Sequence, residues 1–134
     1  MPEKTTMERA RRDKEEGKAP TTQAGEFVRE EMEHIREGKH GARNTKQAIA
    51  IGLSKARRAG VKLPAPGPGS SRRTRRKAAQ DSRAAKRGAG RRPSKRRSRA
   101  TTKALRREGR RAASKRALSR QAMSTARRRR RRSR

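Results

Sequence analysis

The chain has no cysteine, tryptophan or tyrosine, and its one aromatic residue is Phe27. Without cysteine there is no disulfide framework, no thiolate metal site and no cysteine nucleophile. Scarce aromatics count against recognition of single-stranded nucleic acid, which leans on base stacking. Phe27 reads as core rather than as a stacking platform. Bulky apolar side chains are also few. Hydrophobic residues make up 26% of the 134 positions, against nearly half in an ordinary globular domain. Alanine supplies 21 of them, which leaves 14 Phe, Val, Ile, Leu and Met. The longest apolar run covers residues 48–51, with Leu53 after Gly52, far short of a bilayer span. Met1-Pro2-Glu3-Lys4 carries no apolar stretch of the signal-peptide kind. A cytoplasmic protein is expected. The serines and threonines lack a base and an orienting group, so the chain reads as a non-enzyme without cofactors.

Negative charge is the other shortage. Twelve Asp and Glu face 44 Lys and Arg, a formal charge of +32 with a pI near 12.0. Such a balance implies a polyanionic partner. The charge divides at Pro64: residues 1–63 hold 15 basic and 10 acidic side chains, residues 64–134 hold 29 and 2, the two being Asp81 and Glu108. Bulky apolar residues divide the opposite way, nine of the 14 falling within 21–63. Four parts follow. Residues 1–20 form a charged arm, at best a marginal, solvated helix; residues 21–63 form a helical hairpin. Residues 64–71, Pro64-Ala65-Pro66-Gly67-Pro68-Gly69-Ser70-Ser71, are a linker. Residues 72–134 read as an intrinsically disordered, Arg-rich tail, because high net charge with little bulky apolar material cannot build a core. The expected fold class is therefore mostly α plus disorder.

The hairpin is read from spacing. Ala24, Phe27, Val28, Met32 and Ile35 recur at helical intervals over about Thr22 to Glu37. Asn44 and Gln47 have the spacing of a capping box opening a second helix. Its inner face is Ala48, Ile49, Gly52, Leu53 and Ala56, and Gly60 is placed to end it, with Val61 folding back. The first helix carries five Glu and two Arg between Gly25 and Glu37, which suits pairing with the more basic second helix. So small a core needs a partner; self-association through the hairpin (a homo-oligomer) or docking on nucleic acid would supply it.

In the tail, 24 Arg outnumber 5 Lys. The candidate nucleic-acid-binding residues are Arg72, Arg73, Arg75, Arg76 and Lys77; Arg91, Arg92, Lys95, Arg96 and Arg97; Arg106, Arg107, Arg110 and Arg111. The terminal run adds Arg127, Arg128, Arg129, Arg130, Arg131 and Arg132. Cations on duplex phosphates release condensed counterions, and arginine adds a planar fork for phosphate oxygens. Free in solution the tail is expected to stay extended, with residues 99–126 turning helical on a polyanion and Gly109 weakening that helix. Removing residues 70–134 is expected to abolish most duplex binding and leave the hairpin's helical content nearly unchanged. At the start of the second helix, Arg43 and Lys46 could hold a phosphate with the free backbone amides. His34 and His40 lack an evident third ligand, so no metal site is expected and both read as surface histidines. Ser94 and Ser114 follow arginine pairs in the manner of basophilic kinase targets.

The segments Thr22-Gln23-Ala24-Gly25-Glu26-Phe27-Val28-Arg29-Glu30-Glu31-Met32, Gly38-Lys39-His40-Gly41 and Thr45-Lys46-Gln47-Ala48-Ile49-Ala50-Ile51-Gly52-Leu53-Ser54 resemble a family of small, basic, uncharacterised bacterial and phage proteins. Its members are labelled DNA-binding or plasmid-stabilisation proteins. The tail resembles linker-histone tails and protamines in composition. The resemblance implies a bacterial origin; the charge and the Arg-rich tail give the expected function, a nucleoid-associated, histone-like protein on duplex DNA. The rival expectations are an RNA- or ribosome-associated protein, and a plasmid-maintenance regulator whose hairpin holds a protein partner. A membrane partner is not expected, because the tail has no apolar face to insert.

Overall fold

The computed structural model describes residues 3–87 and 94–132. Among these the regular structure is entirely helical: α1 (Lys4–Glu15), α2 (Pro20–Arg36), α3 (Thr45–Arg58), α4 (Arg72–Lys86), α5 (Lys95–Arg106), a single 3-10 turn (Arg111–Ala113) and α6 (Lys115–Arg132).

Helices α2 and α3 form the expected hairpin. Pro20 opens α2 at its first turn, where a missing N–H costs nothing. At the start of α3 the Asn44 cap is made, and Gln47 reaches back to the residue before it rather than to the Asn44 amide of a strict capping box. The Gln47 amide donates to Asn44 Oδ1 at 2.8 Å, and the Arg43 amide donates to Gln47 Oε1 at 2.6 Å. The chain leaves α3 through Gly60, whose φ of 100° is open to glycine. The Val61 amide then returns to the Ala56 carbonyl at 3.0 Å. The two helices pack closely at Gly52, where an added Cβ would lie 2.7 Å from Val28 Cα.

The burial that the hairpin lacks comes from the rest of its own chain. Met7 and Ala10 of α1 pack on Ala24, Phe27 and Ala56, and Thr6, Ala10 and Asp13 are buried there. The N-terminal segment is thus a docked helix rather than a solvated arm. On the other side, Ala112 and Ala113 of the 3-10 turn, with Leu118 of α6, close over Met32, Ile35, Ala42 and Ala48.

Residues 72–132 are not the disordered tail that composition suggests. Helices α4, α5 and α6, with the docked 3-10 turn between α5 and α6, occupy most of the described part of this half. Two physical terms outweigh the charge repulsion. Alanine, arginine and lysine are strong helix formers, and a serine caps each helix. The amides of Thr74, Arg97 and Ala117 donate to Ser71, Ser94 and Ser114 Oγ at 3.2, 3.2 and 3.1 Å. An N-cap of this kind stabilises a helix by about 1 kcal/mol. Gly109 lies in the break between α5 and the 3-10 turn, so residues 99–126 are two helices rather than one.

The second term is docking through backbone. Thr45 Oγ1 donates to the Ala112 carbonyl at 2.6 Å and Arg36 Nε to that of Ala113 at 3.1 Å. The Gly41 and Ala42 amides donate to the Leu105 and Gly109 carbonyls at 2.8 and 3.0 Å. The approach at Gly41 is so close that a Cβ would fall 2.0 Å from the Glu108 carbonyl oxygen. Helix α4 lies on α3 through Ala78 and Asp81, both buried. Asp81 accepts from Ser54 Oγ at 2.7 Å, Arg58 Nε at 2.8 Å and Lys77 Nζ at 3.2 Å. Burial pushes its carboxyl up, but these donors together outweigh it and hold the group below the ordinary carboxylate range. Among the described residues, no helix is long and apolar enough to cross a membrane.

Candidate nucleic-acid interface

The faces that α4 and the 3-10 turn bury are made of alanine and one aspartate, which leaves arginine for the outside. Arg72, Arg73, Arg75 and Arg76 are exposed on the first turns of α4. Lys77 is exposed as well, but its ammonium is directed to Asp81. Lys95, Arg96 and Arg97 occupy the first turn of α5, all exposed, and α5 buries no residue at all. Arg91 and Arg92 lie outside the described residues. Near the break, Arg106 reaches the Lys39 carbonyl at 3.4 Å and so belongs to the docking of α5. Arg107, Arg110 and Arg111 are exposed, the guanidinium of Arg110 lying over Gly38.

The six arginines 127–132 are exposed and form the last turns of α6. Cations at a helix C-terminus are favoured by the macrodipole, so the terminal run extends this helix where it would oppose one at the other end. Arg129 borders a groove with Ile49, Leu118, Gln121, Ala122, Thr125 and Ala126. The Arg132 guanidinium lies close to Gly69 in the segment linking α3 to α4.

Arg43 and Lys46 are brought into a setting that the sequence alone did not show. An open groove of about 440 Å³ at the start of α3 is lined by these two, by Asn44 and Thr45, and by Arg111 and Arg120 from the basic half. The side chains of Asn44 and Gln47 take the amides of Gln47 and Arg43, which leaves those of Thr45 and Lys46 without a partner inside the helix. Four cations and a helix N-terminus thus border one opening, an arrangement suited to a phosphate. Arg120 is absent from the sequence-based candidates. No linear spacing pairs residue 120 with residue 46; the docked 3-10 turn does.

The histidines are not at the surface. The side chains of His34 and His40 are 13% and 12% exposed, and the rings meet edge to face with centroids 6.1 Å apart. His40 Nε2 is 3.0 Å from Glu31 Oε2, and His34 Nε2 is 2.9 Å from Glu3 Oε1. Glu31 is fully buried, and its other oxygen accepts from the Lys55 ammonium of α3. The acidic first helix therefore does turn toward the second.

Residues 21–66 match the model of a family of unknown function (DUF6496). The match takes in α2, α3 and the chain just beyond, and leaves α1 and the whole basic half outside it. No curated protein and no solved structure matches the chain.

Proposed function

We propose that the chain is a non-enzymatic protein that binds duplex DNA largely without sequence preference, associated with the nucleoid. The observation that carries this reading is the placement of the arginines. Those of α4, α5 and α6 stand exposed on helices whose opposite sides or ends are tied to the hairpin. They form a positioned array of cations, with few carboxylates to compete. Binding is driven by release of counterions from neutralised phosphates. A helical array loses less side-chain and backbone freedom on binding than a random coil would. The groove at the start of α3 would hold one phosphate on the Thr45 and Lys46 amides, with Arg43, Arg111 and Arg120 around it. Neutralising the duplex along its length would favour compaction.

Truncation is a poor test, because removing residues 70–134 also strips Ala112, Ala113 and Leu118 from Met32 and Ile35. Substitution is better. Titrations on duplex DNA and on structured RNA, at several salt concentrations, would compare the native chain with one in which arginines 127–132 are glutamine. Engagement of six to ten phosphates predicts an affinity loss of about 10³–10⁵-fold between 50 and 200 mM salt. The variant should lose about five from the log–log salt slope. Duplex affinity indifferent to ionic strength sinks the proposal. Tighter binding to structured RNA at every salt concentration replaces it with the RNA-associated reading.

A further inference from the structure

We propose that Glu31, His34 and His40 form a binding site for one divalent metal ion of the zinc class. This rests on geometry at the other side of the hairpin turn and is independent of the DNA reading. One ligand atom from each of the three lies within 4.8 Å of the other two. Glu31 and His34 are three residues apart on α2, so one helical face presents both. His40 enters from the turn between α2 and α3.

The hydrogen bonds around the site set the ring of His40. Its Nδ1 is 2.9 Å from the Gly41 carbonyl, which can only accept, so Nδ1 carries the proton. In the neutral ring Nε2 is then a lone pair, and it lies 3.0 Å from Glu31 Oε2, a second acceptor. Two acceptors at that distance need a proton or a cation between them. A histidine whose far nitrogen is fixed by a backbone carbonyl is the usual orientation of a metal ligand. Lys55 plays the corresponding part for the carboxylate, holding Oε1 while Oε2 faces the rings.

Charge points the same way. Glu30 and Glu31 are both buried, and the single ammonium of Lys55 serves the two of them. Glu30 Oε2 is 4.0 Å from that ammonium and makes no hydrogen bond. Glu3 is neutralised separately by Lys39 at 3.3 Å. The buried pair thus carries one negative charge more than its lysine balances, which is costly in a poorly solvated site. A divalent cation more than offsets that excess of negative charge. Two imidazoles and a carboxylate suit zinc, cobalt or nickel rather than magnesium or calcium. Metal–ligand bonds of about 2.0–2.2 Å spread tetrahedral donors by roughly 3.3 Å, so closing the site draws these atoms inward by about 1.5 Å at most.

A metal there would tie the end of α2 to residues 39–42. That loop receives the basic half: Gly41 and Ala42 bond to Leu105 and Gly109, and Lys39 accepts from Arg106. Small chains with little apolar core commonly use a structural metal for such a purpose.

The test uses the full, untagged, metal-free chain, which has two histidines and no cysteine, so imidazole signals are unambiguous. Zinc is titrated by calorimetry, with NMR of both rings; cobalt is titrated by visible absorption. One equivalent should bind, both rings should shift, and cobalt should give the ligand-field bands of an imidazole-bound, four-coordinate ion. H34A and H40A should each weaken zinc at least tenfold while the apo far-ultraviolet dichroism stays native. Should either variant unfold, the native chain's ring shifts and cobalt bands still decide. Unmoved rings, a shift of only one ring, or unchanged affinity in the H34A/H40A double variant would overturn the site.

Discussion

Phe27 and Ala113 are both fully buried, yet they hold the two halves of this molecule in different ways. Phe27 is buried with Ala10, Ala24 and Ala56 of α1, α2 and α3, under the half-buried Met7, Leu53, Val61 and Leu63. Ala113 comes from a half whose buried residues, among those described, are Ala78, Asp81, Ala112 and Ala113. Those alanines add little transfer energy of their own. They allow the backbone near enough for Thr45, Arg36, Gly41 and Ala42 to satisfy its orphan groups. One half builds a core, and the other borrows it. Low bulk and high charge therefore do not by themselves mean disorder when a neighbouring segment offers both an apolar floor and hydrogen-bond partners.

The largest test of that dependence removes the core and watches the borrower. F27A should cost about 3–5 kcal/mol, the usual range for emptying a buried aromatic site. If α4, the 3-10 turn and α6 rest on the hairpin, they lose their support in the same transition. Denaturant unfolding followed by far-ultraviolet dichroism should show one step at lower midpoint. Persistence of the α4–α6 signal after the hairpin has melted would break the comparison, because the basic half would then be stable alone.

The same contrast decides what could be read from the sequence. The limits of α2 and α3 were legible within about two residues, because Phe27, Met32, Ile35 and Ile49 mark one face and Asn44 and Gln47 mark the start. In the basic half the buried contact residues are mostly alanines, and Ala78, Ala112 and Ala113 carry no periodic signal that separates them from the other alanines of that half. Ser94 and Ser114 match the kinase pattern only as an arginine-rich chain does by chance; their caps, which open α5 and α6, went unread. Exposure of the arginine clusters was legible from charge alone. Half of the α3 groove was too, through Arg43 and Lys46, but Arg120 needs the tertiary docking. The third ligand at the histidines was hidden because Glu31 is one of four glutamates on α2, and only its contact with His40 singles it out.

A smaller effect should sharpen the link between the halves at α4. Asp81 is one of two acidic residues in the basic half, and it joins α4 to Ser54 and Arg58 of α3. D81N keeps the shape and loses the charge, at about 1–3 kcal/mol. The pH dependence follows from the lowered carboxyl. A group whose folded value lies below its unfolded one contributes fully above the unfolded value, about 3.9, and loses that contribution as pH falls through the folded value. Amide protection in α4, taken relative to the intrinsic exchange rate at each pH, should thus be flat at neutral pH and fall below about pH 4. In D81N that acid step should be absent. An acid step of equal size in the variant assigns it to other carboxylates.

The smallest effect concerns the caps, and it separates propensity from packing. Asn44 caps a helix that is packed along its length, and Ser94 caps α5, which buries nothing. Either alanine replacement should cost about 1 kcal/mol locally. In N44A that loss is shared by the cooperative hairpin and appears as a small drop in global stability. In S94A little holds residues 95–106 besides propensity and the contacts at Leu105 and Arg106, so the loss should stay local. Hydrogen exchange is then expected to quicken about fivefold across α5 with the global midpoint unmoved, 1 kcal/mol being a factor of that order. Equal exchange in native and S94A chains would mean that the cap is not what orders this helix, and the account of how so basic a segment folds would lose one of its two supports.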